Sequence, residues 1–376
     1  MTHSRVSALL ACALLACGDA TSGDTTDAAS TSDAAIDGPG AVSGCAPDAL
    51  DRCDFVPDAP FAVSNPVFVD LSYSDAAGQT RTFQVAVRTP MGAPEPLPVV
   101  IWSHGGNDGR INAANVGTEW AAVLAGGGYL VVTIAHAPRD PSSRSALCAA
   151  LGYDATGCLT FKYLSWDRPH DVRRTLDFVE TQAASGPFAG RIDADHIVYA
   201  GHSAGAGSVD MVNGASRAIA GTQMIVDDPR PVAFIANSPE PSGDDGFIDA
   251  SFAGCARPTL INTGVGDDTG DPGAVTIGEN RTRVFDLMPP GGKHRLFLLG
   301  EAARHSTFDM SPDDCERWST DRGLDPGQCA TYRRWIASSA LAFLDAHTRN
   351  SGGGAAYLAS DNLRILTAGV ATWDRR

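Results

Sequence analysis

The sequence lacks the long apolar runs that membrane-spanning helices require. No internal stretch approaches the roughly 18 consecutive apolar residues that cross a bilayer, and this absence excludes a protein with several membrane spans. Basic residues are also scarce: the sequence has 28 Lys and Arg and 44 Asp and Glu. The formal charge of −16 repels phosphate backbones and anionic headgroups, which argues against binding to nucleic acid and against charge-driven docking on a membrane.

Apolar and small residues, in contrast, are abundant. Of the 376 residues, 43% are hydrophobic, which is enough to build a large core and excludes generic disorder. The 40 glycines and 23 prolines indicate many turns but follow no collagen-like period. We expect a globular protein that acts as a monomer.

The first 17 residues are typical of a bacterial export signal. Arg5 precedes about eleven apolar or small residues, a run too short to span a membrane as a mature helix. The segment ends Leu14-Leu15-Ala16-Cys17, which resembles a lipoprotein box and makes Cys17 the predicted lipidation site; the alternative is an ordinary signal peptide with incidental cysteines. Residues 18–44 are almost all Gly, Asp, Ala, Thr and Ser, which predicts a flexible tether. We therefore expect an exported protein, attached to the cell envelope only by this lipid or released outside the cell.

The cysteines beyond this segment include no Cys-x-x-Cys pair, so the sequence gives little support for a zinc or thioredoxin-like site. Export places them in an oxidising compartment, where cysteines that are close in sequence are expected to form local disulfides. The three expected pairs are Cys45 with Cys53, Cys148 with Cys158, and Cys315 with Cys329. Cys255 is left over and is predicted to be a small buried thiol.

Short apolar runs are separated by longer amphipathic stretches through most of the chain. Within each run, apolar residues follow one another without intervening polar ones. Both faces of each predicted strand should therefore be buried, as in a parallel sheet covered by helices. An earlier pair of alternating segments within residues 67–87 predicts an antiparallel hairpin. The predicted strands are 98–102, 129–134, 196–200, 232–236, 259–262 and 295–299, and the predicted helices are 112–126, 168–184, 204–220, 275–288 and 330–347.

This order of elements predicts one α/β domain over residues 45–376. Its doubly wound, mostly parallel sheet should be preceded by the antiparallel hairpin. In such a sheet, functional side chains gather where the parallel strands end.

A candidate nucleophile lies at one of these strand ends. Gly201-His202-Ser203-Ala204-Gly205 directly follows the strand 196–200 and opens a predicted helix. A nucleophile elbow requires glycines beside the serine, because strand and helix approach closely at the sharp turn. The alternative is a tight turn in which the serine caps the helix.

Possible partners for Ser203 follow the next strands along the chain. Asp267 and Asp268 come after the strand 259–262, and His305 lies in the loop after the strand 295–299, which we expect to be the last. A neutral histidine can take the serine proton, while a carboxylate behind it holds the tautomer. The remaining histidines are weaker candidates: His202 is predicted to be structural, His136 and His170 could line a pocket, His294 should precede its strand, and His347 lies late in a helix.

The loop His104-Gly105-Gly106 is a candidate oxyanion loop. An acyl-transfer site needs two backbone N–H donors aimed at the developing oxyanion. Ala204, directly after the serine, should supply one, and Gly106 should supply the other.

Together these motifs resemble the α/β-hydrolase superfamily over about residues 60–360, and more narrowly the dienelactone-hydrolase-like and platelet-activating-factor-acetylhydrolase-like serine esterases. The resemblance rests on the segments at 99–106, 168–178, 201–205 and 343–347. It implies hydrolysis of carboxylic esters by Ser203, Asp267 and His305 with no metal or organic cofactor. It favours Asp267 over Asp268, because the family's acid comes three residues after the glycine that ends the strand, here Gly264.

Three other functions remain open at this stage. A polyester or lipid hydrolase of the same fold is one, although related polyester hydrolases carry a Trp platform where this chain reads Asn237-Ser238-Pro239. A surface protein that binds ligands without turnover is the second. The third is metal-dependent hydrolysis through Asp267, Asp268 and Asp271, whose spacing does not fit an EF-hand. The substrate is expected to be a small or polymeric ester.

Overall fold

The predicted strands form the centre of the observed sheet. In this computed structural model, the described residues are 54–57, 59–106, 112–153, 163–219, 221–244, 246–267 and 277–376. The strands are β1 (Ala62–Val63), β2 (Val67–Ser74), β3 (Thr80–Arg88), β4 (Pro90–Met91), β5 (Leu97–Ser103), β6 (Leu130–Ala135), β7 (Ile192–His202), β8 (Ser216–Ile219), β9 (Thr222–Ile225), β10 (Pro231–Asn237), β11 (Thr259–Gly264), β12 (Lys293–Leu298) and β13 (Ala371–Arg375).

The helices lie between and after these strands. They are α1 (Thr118–Gly126), α2 (Pro141–Ala150), α3 (Tyr163–Ala184), α4 (Ala204–Val212), α5 (Ile277–Leu287), α6 (Asp313–Asp321), α7 (Gly327–Thr348), α8 (Gly352–Ala359) and α9 (Asn362–Leu366). Short 3₁₀ turns cover Ala113–Asn115, Asp249–Gly254 and His305–Asp309. Within the described part of the chain, no helix has the length and apolar character needed to cross a bilayer.

The main sheet has nine strands in the order β13-β12-β11-β10-β7-β5-β6-β3-β2. The six central strands run parallel, whereas the β2–β3 hairpin and β13 pair antiparallel at the two sides. The sheet is therefore the mostly parallel α/β sheet with an N-terminal antiparallel hairpin that the sequence predicts. The register aligns Ser103 with Gly201, His202 with Asn237, and Asn237 with Asn262, so the loops after these four strands leave the sheet at the same edge.

Two hydrophobic layers cover the sheet, one on each face. Alternate residues of β5 show the division, because Val100 belongs to the hydrophobic cluster that includes residues of α1 and α7, while Ile101 belongs to the cluster that includes residues of α3, α4 and α5. All seven residues of β5 are buried, which explains why its sequence is continuously apolar rather than alternating.

Three expectations about the elements are wrong in detail. The helix predicted over 204–220 ends at Val212, because Gly214 adopts a left-handed φ of 112° and the chain turns into the β8–β9 hairpin. The strand predicted over 295–299 is the last parallel strand but not the last strand, since β13 pairs beside it. His294 does not precede that strand but is its second residue.

The cysteine predictions are confirmed where the structure describes them. Cys315 and Cys329 form a disulfide, and Cys255 is a buried free thiol. Cys148 is disulfide-bonded, and Cys158, its expected partner, lies outside the described residues. Cys45 and Cys53, the predicted signal (1–17) with Cys17, and the predicted tether (18–44) also lie outside them.

Candidate active site

Ser203 occupies a strained turn between β7 and α4. Its φ of 53° and ψ of −122° are unfavourable for a residue with a side chain, so surrounding contacts must hold it there. One such contact is its N–H, which donates to the carbonyl of Asn237 at 3.0 Å. A Cβ at Gly201 would meet the backbone of Gly205 at 2.7 Å, and a Cβ at Gly205 would meet the carbonyl of Ser103 at 2.3 Å. Both positions therefore require glycine, as a nucleophile elbow does.

Asp267 and His305 form a hydrogen-bonded pair beside this turn. His305 Nδ1 lies 2.7 Å from Asp267 Oδ1, and because a carboxylate only accepts, Nδ1 carries the proton. Asp267 Oδ2 accepts from Thr263 Oγ1 at 2.7 Å. In the neutral ring of this tautomer, the nitrogen that faces away from Asp267, Nε2, carries no proton and can act as a base. Asp268, the alternative acid, lies outside the described residues.

The surroundings keep Asp267 ionised although it is fully buried. Burial alone would raise its pKa, but the hydrogen bond and charge of His305, the charge of Arg281 and the Thr263 hydroxyl together lower it below its ordinary value. Arg281 Nε lies 3.7 Å from Asp267 Oδ1. The pair can therefore stabilise an imidazolium when His305 takes a proton.

Ser238 is a site residue that sequence reasoning missed. Its Oγ donates to Asp267 Oδ1 at 2.7 Å and lies 2.8 Å from His305 Nδ1, so it contacts both members of the pair. Its left-handed φ of 53° is held by its N–H, which donates to Asn262, and by Arg281, which donates to its carbonyl. The available signal was its position directly after β10, level with the ends of β7 and β11.

His202 is buried against His305 and touches its backbone. Its Nε2 donates to the His305 carbonyl at 2.9 Å, and the two ring centroids are 4.6 Å apart. Burial, together with the neighbouring His305, lowers the pKa of His202 well below its ordinary value, so the ring is neutral. These contacts agree with the structural role expected for it.

The other histidines lie elsewhere. His136 is fully buried and bonds to Ser103 and Asp171, so it does not line an open pocket. His170 lies within α3 rather than at its start, and its ring stacks on that of Trp166 with 3.8 Å between the ring centroids. His294 and His347 are half-buried in β12 and α7.

The loop His104-Gly105-Gly106 lies directly against the turn that carries Ser203. A Cβ at Gly105 would meet His202 Nδ1 at 2.8 Å and Ser203 Cβ at 3.0 Å. Gly106 has a left-handed φ of 87°, which glycine adopts without steric cost. The structure thus brings Gly106, Ser203, Ala204, Asp267 and His305 to one edge of the sheet. Among the residues that it describes, no group of three or more His, Cys, Asp or Glu side chains is arranged to hold a metal ion.

Comparison with known proteins supports the fold. No protein-family model matches the chain, and no curated protein matches it either. Among solved structures, it is similar to a ferulic acid esterase from Streptomyces cinnamoneus, with a TM-score of 0.54 and 20% sequence identity over 86% of this chain and 100% of that chain. At this identity the likeness shows the α/β-hydrolase fold, and the fold prediction is confirmed. The narrower resemblance to the dienelactone-hydrolase-like and platelet-activating-factor-acetylhydrolase-like esterases stays a prediction.

Proposed function

We propose that this protein is a serine hydrolase that cleaves carboxylic esters through an acyl-enzyme. The observation that carries the proposal is the hydrogen bond of 2.7 Å between the half-buried His305 and the buried Asp267, beside the strained turn of Ser203. This combination is what acyl transfer by a serine requires: a nucleophile, a neutral base and an anion that orients the base.

The proposed reaction begins when His305 Nε2 takes the proton of Ser203 Oγ as this oxygen attacks the ester carbonyl. The backbone N–H groups of Gly106 and Ala204 stabilise the oxyanion, and Asp267 stabilises the imidazolium. His305 then gives its proton to the leaving alcohol, and the acyl group remains on Ser203. Water then attacks the acyl carbonyl while His305 takes one of its protons, and His305 returns this proton to Ser203 Oγ as the bond between Ser203 and the acyl group breaks and the acid leaves. None of these steps uses a metal or an organic cofactor.

A substrate panel tests the proposal and separates the alternatives. The purified protein should hydrolyse members of a 4-nitrophenyl ester series from acetate to palmitate, and methyl ferulate should be included because the similar structure is a ferulic acid esterase. Ser203→Ala should lower kcat by about 10⁴–10⁶ without unfolding the protein, because members of a catalytic triad act as a unit. Clearing of a polyester film would favour a polymer hydrolase instead. Ester binding without turnover would identify a binding protein.

We also propose that the protein is exported and attached to the cell envelope through Cys17. The support is the apolar segment that ends Leu14-Leu15-Ala16-Cys17, followed by the polar residues 18–44. A lipoprotein carries several acyl chains, which hold a protein on a membrane far more firmly than one chain does.

A further inference from the structure

A buried arginine holds the loop that carries Gly106. Arg168 lies on α3 with 2% of its surface exposed. Its two terminal nitrogens donate to two carbonyls of the loop, Nη1 to that of His104 and Nη2 to that of Gly106 at 2.7 Å. The carbonyl between them, on Gly105, lies 2.7 Å from His104 Nδ1 and accepts from it. All three successive carbonyls of the loop are therefore held in place.

Holding these carbonyls also fixes the N–H groups of the loop. A trans peptide is planar, so the Gly106 N–H points opposite to the Gly105 carbonyl with which it shares a peptide unit. Glycines tolerate many backbone conformations, and Gly105-Gly106 could otherwise rotate at little steric cost. His104 Nδ1 holds this peptide unit directly, and Arg168 holds the peptide units on either side of it, so the two sets of contacts together select one orientation of the Gly106 N–H.

Arginine suits this task because its guanidinium is planar and presents two parallel donors in a fixed fork. A lysine at the same place would keep the charge but would lack the fork. Burial lowers the pKa of Arg168 to about 10, so the group still carries its charge at neutral pH. Arg168 Nε is buried without a hydrogen-bond partner among the described residues, a cost that a residue needed only for packing would not incur.

A second connection runs from the same helix to the start of the loop. Asp171, three residues after Arg168 on α3, accepts from His136 Nδ1 at 3.0 Å, and His136 Nε2 lies 2.9 Å from Ser103 Oγ. Ser103 Oγ also accepts from the Tyr199 hydroxyl at 2.9 Å. Ser103, the last residue of β5, directly precedes His104.

Each hydrogen bond in this second connection is donated in the direction of Asp171. Asp171 is held as an anion by Arg81, which donates to both of its oxygens at 2.7 Å, so His136 Nδ1 carries the proton and Nε2 accepts from Ser103. Tyr199, Ser103, His136 and Asp171 thus form one directed chain of hydrogen bonds. Its order repeats Ser-His-Asp, but Ser103, His136 and Asp171 have no exposed surface, so an ester could not reach them.

We propose that Arg168 is a positioning residue of the oxyanion hole. It holds the His104–Gly106 loop so that the Gly106 N–H faces the developing oxyanion, while the buried chain from Asp171 to Ser103 anchors the start of the loop. This inference rests on the proposed function, because the oxyanion forms only during acyl transfer. Arg168 itself touches no reacting atom.

Steady-state kinetics of Arg168→Ala test the inference. The oxyanion forms in the transition state and is absent from the bound substrate. Misplacing a donor that stabilises it should therefore lower kcat and change KM little. Loss of one oxyanion donor lowers kcat by about 10²–10³, and misplacing the Gly106 N–H should approach this loss. Added methylguanidine, which can refill the space of the missing side chain, should restore part of kcat.

Arg349→Ala provides the matched control. Arg349 also donates to two successive backbone carbonyls, those of Gly127 at 3.1 Å and Gly128 at 2.8 Å, but these precede β6 and lie at the opposite edge of the sheet from the site. This variant should lose stability and keep the kcat of its folded fraction. If Arg168→Ala does not fold, Arg168→Lys replaces it in the kinetic test. Its kcat should also fall, because lysine lacks the two parallel donors of the guanidinium.

The outcomes separate this inference from the proposed function. A selective loss of kcat in the Arg168 variants, with rescue by methylguanidine, supports the positioning role. A kcat close to that of wild type, or an equal loss in Arg349→Ala, would overturn it while the esterase activity stands. Wild-type protein that turns over no ester would overturn the proposed function, and the inference with it.

Discussion

Replacing Asp267 with asparagine tests the proposed triad most selectively, because it changes the charge of the acid and almost none of its shape. Asp267 is fully buried and accepts from His305, Ser238 and Thr263. An asparagine can present its NH₂ group to His305 Nδ1, which would move the ring proton to Nε2. His305 would then be unable to accept the Ser203 proton.

The expected cost is large. Loss of the orienting acid lowers kcat by about 10⁴ in the Ser-His-Asp template, which corresponds to about 5.5 kcal/mol of transition-state stabilisation. Asp267→Asn should therefore lose about this much kcat in the hydrolysis of 4-nitrophenyl acetate, while thermal unfolding shows that the fold is kept. KM should change little, since the carboxylate faces the histidine and not the substrate.

The neighbouring carboxylate is the matched control for this variant. Asp268→Asn removes the same charge one residue further along the chain and should cost much less kcat. If Asp268→Asn lost more activity than Asp267→Asn, Asp268 would be the acid, and the roles of Ser203 and His305 would stand. Near wild-type activity in both variants would refute the triad.

Three further predictions concern Ser238, Asp210 and Cys17. Ser238→Ala removes a hydrogen bond to a charged group, which contributes about 1.5–3 kcal/mol, so kcat should fall about 10- to 100-fold in steady-state kinetics; no loss would contradict the contact of Ser238 with the acid. Burial, with nearby Glu240, raises the pKa of Asp210 well above 3.8, so its contribution to stability is complete below that pH and is lost as the pH rises through the folded-state value. Asp210→Asn should thus gain stability relative to wild type as the pH rises above 3.8, by up to about 1.4 kcal/mol per pH unit until Asp210 ionises in the folded protein; denaturant titrations at a series of pH values measure this gain, and parallel pH curves would refute it. Cys17→Ser should move the protein from the membrane fraction to the soluble fraction, and unchanged fractionation would refute lipidation at Cys17.

The sequence predicted the sheet well because the parallel strands are buried on both faces. Continuous apolar runs such as those of β5 and β6 have few other structural explanations at that length. The two-residue strands β1 and β4 give no such signal, and β13 has only five residues, of which just two are buried. The sequence did not predict the end of α4, because the helix ends at the left-handed φ of Gly214 and not at a change in hydrophobic pattern.

The candidate site was partly predictable for a related reason. Ser203, Asp267 and His305 each follow a predicted strand, and parallel strands bring their carboxyl ends together. Ser238 also follows such a strand, but a serine there is chemically unremarkable until its contacts with Asp267 and His305 are seen. The link from Asp171 through His136 to Ser103 joins residues far apart in sequence, so no spacing rule could reveal it.

Reaction with a fluorophosphonate, followed by mass spectrometry of the labelled peptide, tests the central claim most directly. Such reagents modify a serine that is activated by a neighbouring base, and Ser203, at the strained turn between β7 and α4, is the serine from which we propose that His305 Nε2 takes a proton. We predict one adduct, on Ser203, which is absent from Ser203→Ala. An adduct on another serine, or no adduct on the folded wild-type protein, would contradict the account.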